Sequence, residues 1–347
     1  MDHSFGIVGS GSWATALAKI LTDNQHHVNW WIRNEKSLKH LEQRSHNPQY
    51  LPSVNFDTSL LHLSTDLKEI IRLSDVIVMG IPSAYIEESL KGMTVNDWVG
   101  KKIVSAVKGI LPGRDILLNY YLEQEFGFPL DRYFAVLGPC HAEEVAAEKL
   151  SYLTFSGTDV QSASEIASHF TTDYINTVIN HDILGVQYAA VLKNIYAVGA
   201  GMAHGLGYGD NFLSVYIANA ADEMAEFLKH FGAEHIVIGE HEDQDPVTLR
   251  KSPNYAASVY LGDLLVTCYS VYSRNRTFGN MIGKGYSVKG AQLEMNMVAE
   301  GYNAAKCIHN INQSIEARMA IAENIYRVLW ENVNPADAFK QIEAVMV

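Results

Sequence analysis

Little in this chain points to export, to nucleic acid or to a membrane. Three cysteines in 347 residues, Cys140, Cys268 and Cys307, are too few and too widely spaced for a disulfide framework or a zinc site. That scarcity fits a reducing, cytosolic setting. Positive charge is scarce too: 26 Lys and Arg stand against 39 Asp and Glu, a formal net charge of -13. An acidic chain without a Lys/Arg-rich run repels nucleic-acid backbones and anionic lipid surfaces. The start, MDHSFGIV, has an acidic residue where a signal peptide would be positive, so export is not expected. The longest charge-free stretch near the middle, Ile195 to Gly209, has 15 residues and five glycines, too short and too glycine-rich to span a bilayer. No stable membrane anchor is expected. Fourteen histidines are present without H-E-x-x-H or comparable ligand spacing, and no metal site is expected.

What is present is organised in two halves, as the length leads one to expect. The first half alternates short apolar runs with helical patterns, the signature of a parallel sheet wrapped by helices, an α/β doubly wound class. Candidate strands are Phe5 to Val8, Val28 to Ile32, Val76 to Ile81, Ile103 to Val107, Phe134 to Leu137, Tyr152 to Phe155 and Tyr174 to Ile179. Several end in turn-forming residues: Gly9, Pro82 with Ser83, Lys108 with Gly109, and Gly138 with Pro139. Such carboxyl ends are where doubly wound sheets bind ligands. After Asn180 apolar residues recur at helical spacing and no convincing strand follows, so an all-α domain is expected from 182 to 347, after a first domain of residues 1–181. A polar loop is expected from 240 to 258 and a helical tail from Ser314 onward.

The opening unit, FGIVGSGSWATALAKIL, runs a strand into Gly9-Ser10-Gly11-Ser12-Trp13-Ala14 and then into a helix. Gly9 permits the tight turn, Gly11 permits close approach of a pyrophosphate, and Ala14 permits close helix–strand packing. The helix amino-terminus adds N–H donors and a positive dipole end. A plain strand-turn-helix is the alternative for so short a motif, and the flanking strand and helix favour nucleotide binding. At the end of the second strand Arg33 and Asn34 stand where an acid would read a ribose 2′-hydroxyl, which allows NADPH as well as NADH.

Two lysines stand out. Lys193 interrupts a helix apolar almost all round, LGVQYAAVLKNIYAVGAGMAHG, where a buried ammonium is costly unless it is paired. Either its stem reaches the surface, or it is a lysine kept dry enough to exchange a proton near neutral pH. Lys108 follows an apolar strand in IVSAVKGI, where a cofactor's reactive end would lie, although a loop lysine is usually solvated. Farther on, Asp263, Thr267, Ser273, Arg274, Asn275 and Arg276 fall within 14 residues. Arginines beside an asparagine in an acidic chain suit a phosphate, or simply an exposed basic turn.

With these segments in view, the chain resembles NAD(P)-dependent glycerol-3-phosphate dehydrogenases of the bacterial type. The likeness rests on GSGSWATALA, SAVKG at 105–109, GPCHAEEVA at 138–146, LKN at 192–194, GLGYGDN at 205–211, LGDLLVTCYSVYSRNRTFG at 261–279 and VAEG at 298–301, in the family's order. The resemblance implies a Rossmann domain followed by an all-helical substrate and dimerisation domain, usually a cytoplasmic homodimer. It implies hydride transfer between NADH or NADPH and dihydroxyacetone phosphate, giving sn-glycerol 3-phosphate for glycerophospholipid synthesis. Lys193 looks like the family's proton-exchanging lysine, and Lys108 like the one that meets nicotinamide and substrate, with Asn194 and Asp263 orienting them. Substrate contacts are expected at Lys108, Lys193, Asp263, Thr267, Ser273, Arg274 and Asn275. Cofactor contacts are expected at Gly9, Gly11, Ser12, Trp13, Ala14, Arg33, Lys108, Gly138, Cys140, Ala142, Arg274, Val298 and Glu300. The chain departs from the family pattern at Ala14, where a third glycine is common, and at Cys140, where Ser or Thr is typical. Two other readings remain: another Rossmann-plus-helical dehydrogenase of a hydroxy acid or sugar acid, and a nucleotide-sensing regulator that binds NAD(H) without turnover.

Overall fold

A computed structural model describes residues 3–232, 259–295 and 299–346. The polar loop expected at 240–258 and the expected cofactor contact Val298 lie outside the described residues. The chain divides into two compact units, residues 1–107 with 116–183, and residues 108–115 with 184–347. Lys108 therefore groups with the helical unit.

The first unit is built on eight strands: β1 (Phe5–Val8), β2 (Val28–Trp31), β3 (Leu61–Ser64), β4 (Val76–Met79), β5 (Lys102–Ser105), β6 (Tyr133–Leu137), β7 (Ser151–Ser156) and β8 (Ile175–Asn180). They lie in the order β3-β2-β1-β4-β5-β6-β7-β8, parallel throughout except between β6 and β7. The first six have the order of a dinucleotide-binding sheet, whose strand order reverses between β1 and β4. FGIV, VIVM and YFAVL read as unbroken apolar runs because β1, β4 and β6 are buried along their whole length.

Two features of the sheet escape the sequence pattern. The strand β3, LHLS, sits at the sheet edge and is nowhere fully buried, so two leucines alternating with polar residues give too weak a signal. The expected strands ending at Ile32, Ile81 and Val107 stop earlier in the ladder. Those residues are buried all the same.

The helix Ser12–Asp23 follows β1, and its residues Ala14 through Thr22 are all buried. Its one buried cation, Lys19, is paired with Asp23 at 2.5 Å and Glu148 at 3.0 Å. Gly9 has φ +129, a conformation that glycine adopts without strain. A Cβ there would also press on the carbonyl of Gly80, just past β4.

Among the described residues the second unit contains eight helices and no strand. Its core element is Ile183–Gly205, buried everywhere except at Leu184, His204 and Gly205. At 23 residues it is longer than the charge-free run, and long and apolar enough to cross a bilayer. Yet 94% of its most apolar stretch is buried inside the protein, as in the core helix of a globular domain.

The helix Arg274–Gly283 lies backbone to backbone on this core helix. A Cβ at Gly201 or Gly205 would strike the carbonyls of Arg276 and Asn280, and one at Gly279 or Gly283 those of Val198 and Met202. Each pair is spaced four apart and so shares one helix face. Gly301, in the first turn of Glu300–Ile315, meets the carbonyl of Asn194 in the same way. These glycines set how near Ser273, Asn275 and Gly301 come to Lys193 and Asn194.

Candidate active site

In the first unit the expected dinucleotide turn is assembled from backbone. Helix Ser12–Asp23 has Gly11 as its N-cap, with no side-chain capping bond, which leaves its first amides to a ligand. A Cβ built on Gly11 would meet nothing within 4 Å, so space for an incoming group adjoins the turn. The Gly9 carbonyl accepts a hydrogen bond from Trp30 Nε1 at 2.6 Å. The Ser10 carbonyl accepts one from Asn47 Nδ2 at 3.0 Å, and the Gly11 carbonyl one from Thr15 Oγ1 at 2.9 Å. Ala14 is buried, and its Cβ would lie 3.1 Å from a Cβ at Gly80. The glycine that makes close packing possible here is thus on the β4 side of the contact.

The other expected cofactor positions of this unit also follow the carboxyl ends of strands. Arg33 is exposed two residues beyond β2, and Asn34 caps the next helix by accepting from Lys36 N at 2.8 Å. Gly138 follows β6 with φ +140, where a Cβ would meet the Tyr152 carbonyl at 2.6 Å. Cys140 is buried and outside any disulfide, and Ala142 opens the short helix Ala142–Ala146. Trp13 is half-buried against the apolar core.

The second unit gathers its polar groups in a dry interior. Lys193 does not reach the surface: its Nζ pairs with Asp263 Oδ2, and both side chains are almost fully buried. Asp263 compensates the buried ammonium and stands in the first turn of Leu261–Tyr269, where a carboxylate is favoured by the helix dipole. One turn on, Thr267 donates to the Asp263 carbonyl at 2.6 Å. Burial pushes the neighbouring Cys268 thiol up to about 12 against the nearby charges of Lys193 and Arg276.

Asn194, the next residue, heads a hydrogen-bonded chain. Its Nδ2 donates to the Lys108 carbonyl at 2.9 Å, and its Oδ1 accepts from Asn275 Nδ2 at 2.9 Å. Asn275 Oδ1 in turn accepts from Gly301 N at 2.9 Å. The backbone at Lys108, the Lys193 turn, the start of Arg274–Gly283 and the start of Glu300–Ile315 are thereby fixed to one another. Ser273 caps the third of these by accepting from Arg276 N at 3.3 Å. Arg274 is the exposed first residue of that helix, and Glu300 is the partly buried first residue of the fourth segment.

Three neighbours were not anticipated from the sequence. Asn47 and Gly80 shape the dinucleotide turn, and the only local hint was an Asn-Pro turn signal at 47. Glu223 is 8% exposed and accepts from Ile321 N at 2.7 Å, Ala322 N at 2.9 Å and Tyr196 OH at 3.2 Å. Burial raises its carboxyl to about 7, opposed by those hydrogen bonds. An acid on the same helix stripe as Ile217, Ala220, Met224 and Phe227 was the signal that could have found it.

Comparison with known proteins agrees over nearly the whole chain. Residues 4–163 match the family model of the NAD-dependent glycerol-3-phosphate dehydrogenase N-terminus, and residues 182–340 that of the C-terminus. A glycerol-3-phosphate dehydrogenase [NAD(P)+] of Bacillus pumilus is 33% identical over 97% of this chain and 93% of its own length. One from Halalkalibacterium halodurans is 32% identical over 97% and 92%. The crystal structure of a Coxiella burnetii glycerol-3-phosphate dehydrogenase superimposes with a TM-score of 0.84 at 25% identity, over 98% of both chains. With both family models matched and relatives this similar along its length, the chain belongs to the NAD-dependent glycerol-3-phosphate dehydrogenase family.

Proposed function

We propose that the chain reversibly transfers a hydride between NAD(P)H and dihydroxyacetone phosphate, giving sn-glycerol 3-phosphate. The observation that carries this reading is the buried Lys193–Asp263 pair, joined through Asn194 to the Lys108 backbone and through Asn275 to the helix that begins at Arg274. The names of its relatives, glycerol-3-phosphate dehydrogenase [NAD(P)+], support it. The uncapped turn with open space at Gly11 suits a pyrophosphate, and the exposed Arg33 beyond β2 suits a 2′-phosphate as well as a free ribose.

The nicotinamide, when bound, supplies the hydride that adds to the C2 carbonyl. Lys193, steadied by Asp263, donates a proton to the oxygen as it becomes an alkoxide and takes it back in the reverse direction. The charges of Lys193 and Lys108 stabilise that oxygen while the bond to it changes. Arg274 presents a guanidinium fork at the amino-terminus of a ten-residue helix capped by Ser273, and fork and helix dipole both favour the substrate phosphate. Thr267 and Asn275 complete the substrate contacts. The reading extends to a cytoplasmic homodimer without a membrane anchor, serving glycerophospholipid synthesis.

The test is a set of initial rates with dihydroxyacetone phosphate, run separately with NADH and NADPH, with the product identified as sn-glycerol 3-phosphate. Turnover of a hydroxy acid or sugar acid but not of the triose phosphate overturns the substrate assignment. Tight NADH binding without turnover of any of these favours the nucleotide-sensing regulator.

A further inference from the structure

We infer that Asn47 is a positioning residue that aims the amide donors of the glycine turn at the dinucleotide pyrophosphate, an inference that rests on the NAD(P)-binding reading above. A peptide unit is planar, and every one among the described residues is trans, so its N–H points opposite to its C=O. Whatever holds a carbonyl of the turn therefore also aims the following amide. Asn47 Nδ2 holds the Ser10 carbonyl, which directs the Gly11 N–H the other way. Thr15 Oγ1 holds the Gly11 carbonyl and directs the Ser12 N–H, and Trp30 Nε1 does the same for the Ser10 N–H through the Gly9 carbonyl. An array of consecutive backbone amides facing one way is an anion-binding concavity. Fixing it before the ligand arrives removes an ordering cost from binding.

Asn47 is the keystone of this arrangement because it also holds one of the other holders. Its Nδ2 donates to Thr15 Oγ1 at 2.9 Å as well as to Ser10. Its Oδ1 accepts from Gln49 N at 3.0 Å and Tyr50 N at 3.2 Å, which fastens it to its own loop. Both amide protons and the carbonyl oxygen are thus used at a residue only 4% exposed. The three holders carry no ionisable group, so the array is set without competing for the charge of the ligand.

Asn47→Asp is the severe variant, and its new carboxylate near the pyrophosphate adds a repulsion of its own, so the uncharged Thr15→Val is the discriminating one. Asn47→Asp keeps the acceptor for Gln49 and Tyr50 but sets an oxygen against the Ser10 carbonyl, and it offers Thr15 an alternative acceptor to Gly11. Thr15→Val removes one link without adding charge. Dissociation constants for NADH, ADP-ribose and adenosine, measured by calorimetry on folded protein, separate pyrophosphate recognition from general distortion. For Asn47→Asp, NADH and ADP-ribose should weaken together by about 10- to 100-fold, the scale of a lost hydrogen bond with its partner left unsatisfied. Adenosine should change by less than about twofold on that scale. KM for NADH should follow, while kcat at saturating NADH stays near wild type. Thr15→Val should weaken the same two ligands by about 3- to 10-fold. If Asn47→Asp does not fold, Thr15→Val decides by the same ligands.

Unchanged NADH and ADP-ribose binding in the folded variant overturns the inference, as does an equal loss for adenosine. A wild-type chain that binds neither NADH nor NADPH instead overturns the functional reading, and this inference with it.

Discussion

The two polar centres of this chain solve opposite problems. The glycine turn of the first unit leaves space beside Gly11 and works through backbone, with its carbonyls held by the neutral side chains of Trp30, Asn47 and Thr15. The second unit's centre works through side chains and puts ionisable groups where water is excluded, with Lys193 against Asp263 and Glu223 against a helix amino-terminus. A backbone centre is fixed by conformation and is indifferent to pH. A buried charged centre is fixed by pairing and is vulnerable to the loss of either partner. Variants should therefore fail differently in the two units.

The largest effect is expected at Lys193. Lys193→Met should lower kcat by about 10²-fold or more, the usual scale for losing a general acid. It also leaves the Asp263 carboxylate buried without its cation, which typically costs about 3 to 5 kcal/mol of stability. Lys193→Met combined with Asp263→Asn should regain much of the lost stability in a denaturant titration and none of the rate. A double variant as unstable as the single one would mean that the pair is not what holds this interior together.

Arg274 comes next. Arg274 is exposed, so the scale is that of a hydrogen bond to a charged group, about 1.5 to 3 kcal/mol, and Arg274→Ala should cut kcat/KM for dihydroxyacetone phosphate by roughly 10- to 100-fold. Arg274→Lys should recover only part of this, because an ammonium lacks the two-pronged contact. Dihydroxyacetone, which has no phosphate, should react poorly with wild type and be affected little by the variant. An equal loss on both substrates would move Arg274 from the phosphate to the cofactor or the fold.

The sequence makes the two centres legible to different depths. The turn from Gly9 to Ala14 and the misplaced Lys193 are visible because each signal is local: a glycine spacing between a strand and a helix, and one charge in an apolar helix. What escapes depends on partners far along the chain. Asn47 acts on Ser10 from 37 residues away, Gly80 faces Ala14 across two strands' carboxyl ends, and Glu223 closes on Ile321 and Ala322 almost a hundred residues later. No window of neighbouring residues contains those pairings. The β3 edge strand escapes for another reason: half-buried on a sheet margin, it needs no apolar run.

Glu223 gives the pH arm of the comparison. Its carboxyl holds a proton up to about pH 7 in the folded chain, against an ordinary value of 4.5. Between those two values the folded state binds more protons than the unfolded state, so this group's contribution to stability falls as pH rises through the window. The maximum swing is about 3 kcal/mol at 1.36 kcal/mol per pH unit. Glu223→Gln should flatten the stability–pH curve between about pH 4.5 and 7. Thr15→Val, which adds no ionisable group beside the neutral turn, should leave the slope in that window unchanged, and a Glu223→Gln curve parallel to wild type would remove Glu223 from the charged centre.

The smallest effect is expected at Arg33, which follows β2 where a ribose-reading residue of a dinucleotide site is expected. Its side chain is exposed, so any contact with a 2′-phosphate is made in water, where a close pair of unit charges is worth about 1 kcal/mol. Arg33→Asp replaces that attraction with a repulsion and offers an acceptor to the free 2′-hydroxyl of NADH. The ratio of kcat/KM for NADPH to that for NADH should therefore fall by about 10- to 30-fold, most of it through KM for NADPH. Because the charge is exposed, the shift should shrink as salt is raised and the screening length drops from about 10 Å at 0.1 M toward about 3 Å at 1 M. Thr15→Val makes the opposite pattern, weakening both cofactors together with little dependence on salt. If Arg33→Asp lowers both cofactors equally, the residue does not read the ribose, and cofactor choice in this chain rests on groups other than the end of β2.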